Sequence, residues 1–247
     1  EFFLQKIIDS ITKNIDDNNQ TFYPRLIFKD EYNAFVTGSN NIYINTGLIK
    51  RASSISEIQG VIAHEIGHLV LNHHSSRLIN RNTNSNYATI AAIAGVALSM
   101  SNKLNGDAAA GLIIGSNDLA TKSYLQFTRI QEQQADKFAL DIMKKAKISY
   151  DGLENLLIRL SEEEFLNKSM TSKFYRSHPY SKKRLNQLQD YKKESLDYDI
   201  SNEEISINDN VISLEYINNK IKSYNSDPFE ILNNSKIENK FLRAYSK

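Results

Sequence analysis

Apolar residues recur at three- and four-residue steps at Phe3, Leu4, Ile7, Ile8, Ile11 and Ile15. This spacing predicts an amphipathic helix over Phe2–Ile15, closed by the polar run Asp16–Gln20. Thr21–Lys29 is dense in β-branched and aromatic residues and reads as a strand. Ala34–Thr37 and Asn41–Ile44 follow, separated by Gly38-Ser39-Asn40, which predicts a hairpin or strand pair. Ser54-Ile55-Ser56-Glu57 then has the form of a capping box at the start of a long helix. Ile58, Ile62, Ile66, Leu69 and Val70 form one stripe of that helix, while Val61 and Leu71 lie on the side carrying His64 and His68. A helix apolar on more than one face belongs at the centre of a fold. A second long helix is expected over Leu119–Lys147, with Phe127, Ile130, Phe138, Leu140 and Ile142 among its apolar positions. Shorter helices are expected at Tyr150–Leu160, Lys182–Tyr191, Val211–Asn219 and Pro228–Leu242, the last with Pro228 near its start. From about Tyr198 the chain becomes rich in Asn, Ser and acidic residues. That shift places a boundary between a main domain, 1–197, and a C-terminal helical extension, 198–247.

Tyr87–Met100 and Ala108–Ile114 are apolar but fall short of the ~18 residues a spanning helix needs. They are read first as a buried helical hairpin, and alternatively as a hairpin resting on a membrane surface. The 247 residues, 40% of them hydrophobic, suffice for one sizeable core with or without an appendage. Lys and Arg number 30 against 29 Asp and Glu, so no strong field gathers nucleic acid or anionic lipid. No basic block with interleaved aromatics appears, and nucleic acid is not an expected partner. The absence of cysteine excludes disulfides, thiol nucleophiles and thiolate metal ligands, but leaves the compartment open. The chain starts at Glu1 rather than Met, which accords with removal of a leader or with trimming.

The strongest chemical signal is His64-Glu65-Ile66-Gly67-His68. Residues four apart on a helix are only ~40° apart around it and ~6 Å along it, so both imidazoles can reach one metal ion. Glu65 points partly aside and is left free to act as a general base toward water. Chance would produce the HExxH pattern on the order of once in a hundred chains of this size. Its place inside a capped, apolar helix argues further against accident, because two histidines and a glutamate buried without partners are costly. A catalytic zinc needs a third protein ligand, which here must be His, Asp or Glu. Glu132 and Asp136, in Gln131-Glu132-Gln133-Gln134-Ala135-Asp136, again lie four apart. Glu132 can coordinate while Asp136 accepts a hydrogen bond from the other nitrogen of His64. Taken alone, the same run also fits a solvated polar face. His73 and His74 lie near the helix C-terminus and read as surface residues compatible with its dipole.

Taken together, these residues resemble the HtpX-like, BepA-like and CAAX-prenyl-protease-like zinc metallopeptidases, which are gluzincins. The likeness rests on HEIGH followed some sixty residues later by ExxAD, and on three further segments. These are Asn33-Ala34-Phe35 with Gly38 through Asn45-Thr46-Gly47-Leu48, Tyr150-Asp151-Gly152-Leu153, and Ser177-His178-Pro179-Tyr180 with Arg184. The ordered set covers roughly residues 20–190. The resemblance implies an α+β, mostly helical, zincin-like domain with a small sheet beside the active-site helix. It also implies one Zn²⁺ per chain and hydrolysis of peptide bonds in protein or peptide substrates. It points to the soluble periplasmic branch, hence to the periplasm or cell envelope of a bacterium and to protein quality control there. It places His178 near the metal, either as a donor to the developing oxyanion or as a ligand that blocks the open position.

Substrate is expected to add as an extended strand along an edge near Asn40–Ile44, which makes Asn41 and Tyr43 candidate contacts. Asn33 would hold that segment or the substrate backbone. The competing reading of the chain is a non-catalytic, metal-containing chaperone-like or adaptor module. The intact Glu65 speaks against it, since a structural site needs no base. An aminopeptidase would need an acidic group to grip a free amine, and no residue presents itself for that role. Oligomeric state is not legible.

Overall fold

The computed structural model describes residues 1–13, 20–37, 39–73, 128–163, 178–179, 181–194, 206–207, 210–211 and 213–225. The first helix, α1, spans Phe2–Thr12 and buries Leu4, Ile7, Ile8 and Ile11, the stripe its periodicity predicts. Ile15 and most of the polar run after it lie outside the described residues.

Strands β1 (Tyr23–Ile27), β2 (Ala34–Val36) and β3 (Asn41–Asn45) form a sheet in the order β1-β3-β2. β2 and β3 pair antiparallel, as the hairpin pattern predicts, whereas β1 pairs parallel to β3 on its other side. β3 is therefore the central strand. Ile42 and Ile44 are fully buried on one face, and on the other Tyr43 stacks on Phe35 with ring centroids 5.0 Å apart. β3 runs directly into α2 (Thr46–Arg51), which buries Leu48 and Ile49.

Helix α3 (Ile55–Val70) is the axis of the fold: every residue from Glu57 to His68 is buried. Ser54 caps it, its hydroxyl accepting the Glu57 N–H at 3.1 Å. The reciprocal arm differs from a capping box. The Glu57 carboxylate takes the N–H and hydroxyl of Ser53 at 2.8 and 2.6 Å, not the Ser54 N–H. The buried carboxylate is drawn into a network, where it also accepts from Tyr32 Oη at 2.6 Å and pairs with Arg159 at 3.0 Å.

Three more helices follow: α4 over residues 128–145 and α5 (Asp151–Glu163) pack against α3, and α6 (Ser181–Glu194) packs against α5. Ile58, Ile62 and Ile66 join Ala139, Met143, Leu153, Leu156, Leu157, Leu160 and Leu188 in one core. Burying each Ile or Leu contributes about 1.5–3 kcal/mol. Ile130, expected among the apolar positions of α4, is instead exposed. Two glycines set how closely the helices approach. A Cβ on Gly67 would lie 3.0 Å from the Ala135 carbonyl oxygen and 3.1 Å from its Cα, so α4 rests against α3 one residue before His68. A Cβ on Gly152 would fall onto the backbone of Ser56 and Glu57, so the start of α5 abuts the start of α3.

Val211, expected in a helix, instead lies in β5 (Asn210–Val211), paired antiparallel with β4 (Ser206–Ile207). The helix, α7, spans Leu214–Asn225, set by Ser213, whose hydroxyl accepts the Tyr216 N–H at 3.1 Å. α7 packs on α2, and its Ile217 and Ile221 belong to the same buried cluster as α3. Pro228–Leu242 and the apolar stretches within 87–114 lie outside the described residues. Among those described, no helix is long and apolar enough to cross a membrane.

Candidate metal centre

α3, α4 and the segment just before α6 place four side chains around one point. His64, His68, Glu132 and His178 each offer a ligand atom, all within 4.8 Å of one another, and all four are buried. His64 Nε2 lies 3.1 Å from His68 Nε2 and 3.3 Å from Glu132 Oε2, and His68 Nε2 lies 3.5 Å from Glu132 Oε1. His178 Nδ1 is 3.1 Å from His64 Nε2 and 3.0 Å from Glu132 Oε2. Four ligands at 2.0–2.1 Å from a tetrahedral ion are separated by about 3.3–3.4 Å. The donors here are spaced close to that, and two to three imidazoles with one carboxylate are the donor types such an ion takes. The residues therefore fit a metal ion.

The remaining groups hold these donors in place. Asp136 Oδ1 lies 2.9 Å from His64 Nδ1. Arg184, fully buried on α6, grips Asp136 with Nε at 2.6 Å and Nη2 at 2.7 Å, and its Nη1 reaches the His178 carbonyl at 3.1 Å and Glu132 at 3.2 Å. Glu65 is buried beside the cluster, its Oε1 3.3 Å from His178 Nε2.

Electrostatics follow from these contacts. Burial alone lowers the pKa of His64, but its hydrogen bonds to Asp136 and Glu132 outweigh this and raise it to about 9. For His68 burial wins over the attraction of Glu132, and the pKa falls to about 3. The far nitrogen of His64 meets the Asp136 carboxylate, which raises its pKa, whereas that of His68 meets the imidazole of His73. Asp136 is pulled down to about 2, against the effect of burial, chiefly by Arg184. Glu132 lies well below the usual carboxylate range, as His178 and His68 overcome its burial.

His73, expected at the surface, is buried, and its Nδ1 lies 2.8 Å from His68 Nδ1. The cause is a chain reversal at Asn72, described below; His74 lies outside the described residues. Arg184 is buried as well, although nothing in its sequence context announces it. The expected free edge at Asn40–Ile44 does not exist. β3 is hydrogen-bonded on both sides, so its backbone cannot receive a further strand. Asn41 is engaged within the sheet, accepting from Arg25 Nε and donating to Ser39 Oγ, both at 2.8 Å. Asn33, at the start of β2, accepts the Asn45 N–H through its carbonyl at 3.0 Å. Its buried side-chain oxygen has no hydrogen-bond partner among the described residues.

The family model Peptidase family M48 matches residues 3–192. This chain belongs to peptidase family M48. Its relatives include the metalloproteases YcaL and LoiP of Escherichia coli (strain K12). YcaL is 28% identical over 193 residues, covering 76% of this chain and 68% of YcaL. LoiP is 26% identical over 188 residues, with the same coverage. The β-barrel assembly-enhancing protease of Escherichia coli O157:H7 is 24% identical over 165 residues, 66% of this chain but 33% of that protein. The match to this M48 peptidase thus spans about two thirds of the first two relatives and a third of the last. As a member of this family the chain is a metalloprotease with protein substrates, and its α+β, mostly helical domain is of the zincin type.

Proposed function

We propose that this M48 peptidase is a zinc endopeptidase of the bacterial periplasm or cell envelope, in which His64, His68 and Glu132 hold one Zn²⁺ and Glu65 is the general base. The observation that carries this reading is the spacing of the three donors on α3 and α4, close to the edges of a zinc tetrahedron. Bound there, zinc supplies Lewis acidity toward the scissile carbonyl and water. Glu65 takes the proton as water oxygen bonds to the carbonyl carbon, then delivers it to the amine as the C–N bond breaks. Asp136 holds His64 by its far nitrogen, and Arg184 keeps Asp136 ionised. Work on envelope proteins is supported by the relative named for enhancing β-barrel assembly. The end of the family match at residue 192 supports a peptidase domain over 1–197, with 198–247 as its extension. Association with a membrane surface is assigned to the apolar stretches within 87–114; no nucleic-acid partner enters this reading.

His178 is read as a fourth donor that closes the site at rest, because its Nδ1 stands as near His64 and Glu132 as they stand to each other. His178→Ala then raises turnover, whereas loss of a pure oxyanion donor lowers it. Substrate adds at β2, the edge that packs against α3. The Asn45 N–H to Asn33 carbonyl bond makes 33/45 and 35/43 the hydrogen-bonded pairs, so the backbone groups of Ala34 and Val36 point away from β3. Asn33 Oδ1 is available to a substrate N–H beside them. The deciding assay is casein or peptide hydrolysis by Glu65→Gln. Zinc content should be unchanged, with turnover reduced by about 10²–10⁴; undiminished turnover would overturn Glu65 as the base, and wild type that binds metal but hydrolyses nothing would return the chain to the adaptor reading.

A further inference from the structure

Asp136 seats the far nitrogen of His64, and the chain turns back on itself to seat that of His68. After α3, Asn72 takes a positive φ of 53°, a conformation that Asn adopts more readily than most side-chain-bearing residues. The reversal tucks His73 beneath the helix end, 4% exposed, with its ring edge-on to His68 and the two Nδ1 atoms 2.8 Å apart. The other nitrogen of His73 lies 3.2 Å from Gln134 Oε1, and the Gln131 side-chain amide donates to the His73 carbonyl at 3.2 Å. Gln131 and Gln134 flank Glu132 on α4.

Chemistry sets the protons. A metal on His68 Nε2 requires the lone pair of that nitrogen, so the His68 proton sits on Nδ1. It is donated to His73 Nδ1, which must be bare. The His73 proton is then on Nε2, where Gln134 Oε1 accepts it. All three links agree with one tautomer for each ring. The reverse polarity puts a proton on His68 Nε2 and excludes the metal.

We infer that His73 is a positioning residue for the metal ligand His68, fixing its tautomer and ring plane through a relay that ends on Gln134. The inference rests on the metal-centre reading above. A neutral acceptor suits this place, because another carboxylate would add negative charge to a cluster already holding Glu65, Glu132 and Asp136.

The test is zinc affinity, read by competition with a chelating indicator on wild type, His73→Phe, His73→Asn and Gln134→Leu. His73→Phe keeps the ring but removes both nitrogens, and should weaken zinc binding about 10–100-fold. The carbonyl of His73→Asn can accept from His68 Nδ1 and should recover most of that loss. Gln134 lies at the surface, so Gln134→Leu leaves the fold intact and should weaken zinc severalfold. Nitrogen-15 NMR of zinc-loaded wild type should show protons on His68 Nδ1 and His73 Nε2. Affinity of His73→Phe within about twofold of wild type, no recovery in His73→Asn, or a proton on His73 Nδ1 overturns the inference. Wild type that binds no zinc overturns the metal-centre reading with it, a result distinct from equal affinities across the series. Should His73→Phe fail to fold, the wild-type tautomers and Gln134→Leu decide.

Discussion

Replacing Arg184 by Met keeps most of the apolar stem and removes the cation on which the buried charge balance turns. In the structure its guanidinium makes two contacts to Asp136, at 2.6 and 2.7 Å, and one to Glu132 at 3.2 Å. A unit-charge pair about 4 Å apart is worth about 4 kcal/mol at an effective permittivity near 20. Desolvation, several kcal/mol per ion, offsets most of that in the intact network. Removing one partner leaves the other's desolvation uncompensated, which costs about 3–5 kcal/mol. Urea unfolding of metal-free Arg184→Met should therefore show a loss of that size with an unchanged denaturant slope. Arg184→Lys should recover only part, since one ammonium cannot span both Asp136 oxygens, Glu132 and the His178 carbonyl. The double variant with Asp136→Asn should cost less than the sum of the single changes, because the stranded anion is gone. A loss below about 1 kcal/mol for Arg184→Met, or strict additivity in the double variant, would refute this account of the charge balance.

Gly67→Ala should lower the thermal midpoint and weaken zinc binding, even though Ala favours helix by up to about 1 kcal/mol. The new methyl presses on the Ala135 backbone and forces α4, with Glu132, away from the imidazoles; unchanged values in both assays would contradict this. Val36→Pro should raise KM for peptides while leaving the unfolding midpoint nearly unchanged, because its N–H points to the open edge of β2; equal loss in both would assign Val36 to structure alone. Asp151 is held below the usual carboxylate range by Lys192 and Ser149. A depressed folded pKa contributes stability above the unfolded value, about 3.9, and loses it as pH falls through the folded one. Lys192→Met should accordingly cost a few tenths of a kcal/mol near neutrality, after screening of this exposed pair, and progressively less in acid; a constant penalty across pH would disagree.

Much of this arrangement was legible because helix periodicity and metal chemistry impose the same spacings. The i, i+4 pairs His64/His68 and Glu132/Asp136 each require one helix face, and the all-round apolar character of α3 marks it as central. The sheet was legible only in part. Gly38-Ser39-Asn40 announces a hairpin, but nothing local states that β1 returns parallel on the far side of β3 and turns the expected edge into the middle. At Val211, β-branching competes with a helical pattern, and the cap at Ser213 decides where the helix begins. His73 was misplaced because the dipole argument treats α3 as ending in solvent. Asn72 just past the helix end was the available signal, since Asn there often takes the left-handed turn that folds the chain back. Arg184 is the hardest case: its burial depends on two carboxylates some fifty residues away or more, which meet it only after α4 and α6 pack.

The most direct test is a crystal of the zinc-loaded protein measured on both sides of the zinc absorption edge. One anomalous peak per chain is predicted, about 2.0–2.2 Å from His64 Nε2, His68 Nε2 and a Glu132 oxygen. A peak elsewhere, or none with Glu132 turned away from the histidine pair, would contradict the account.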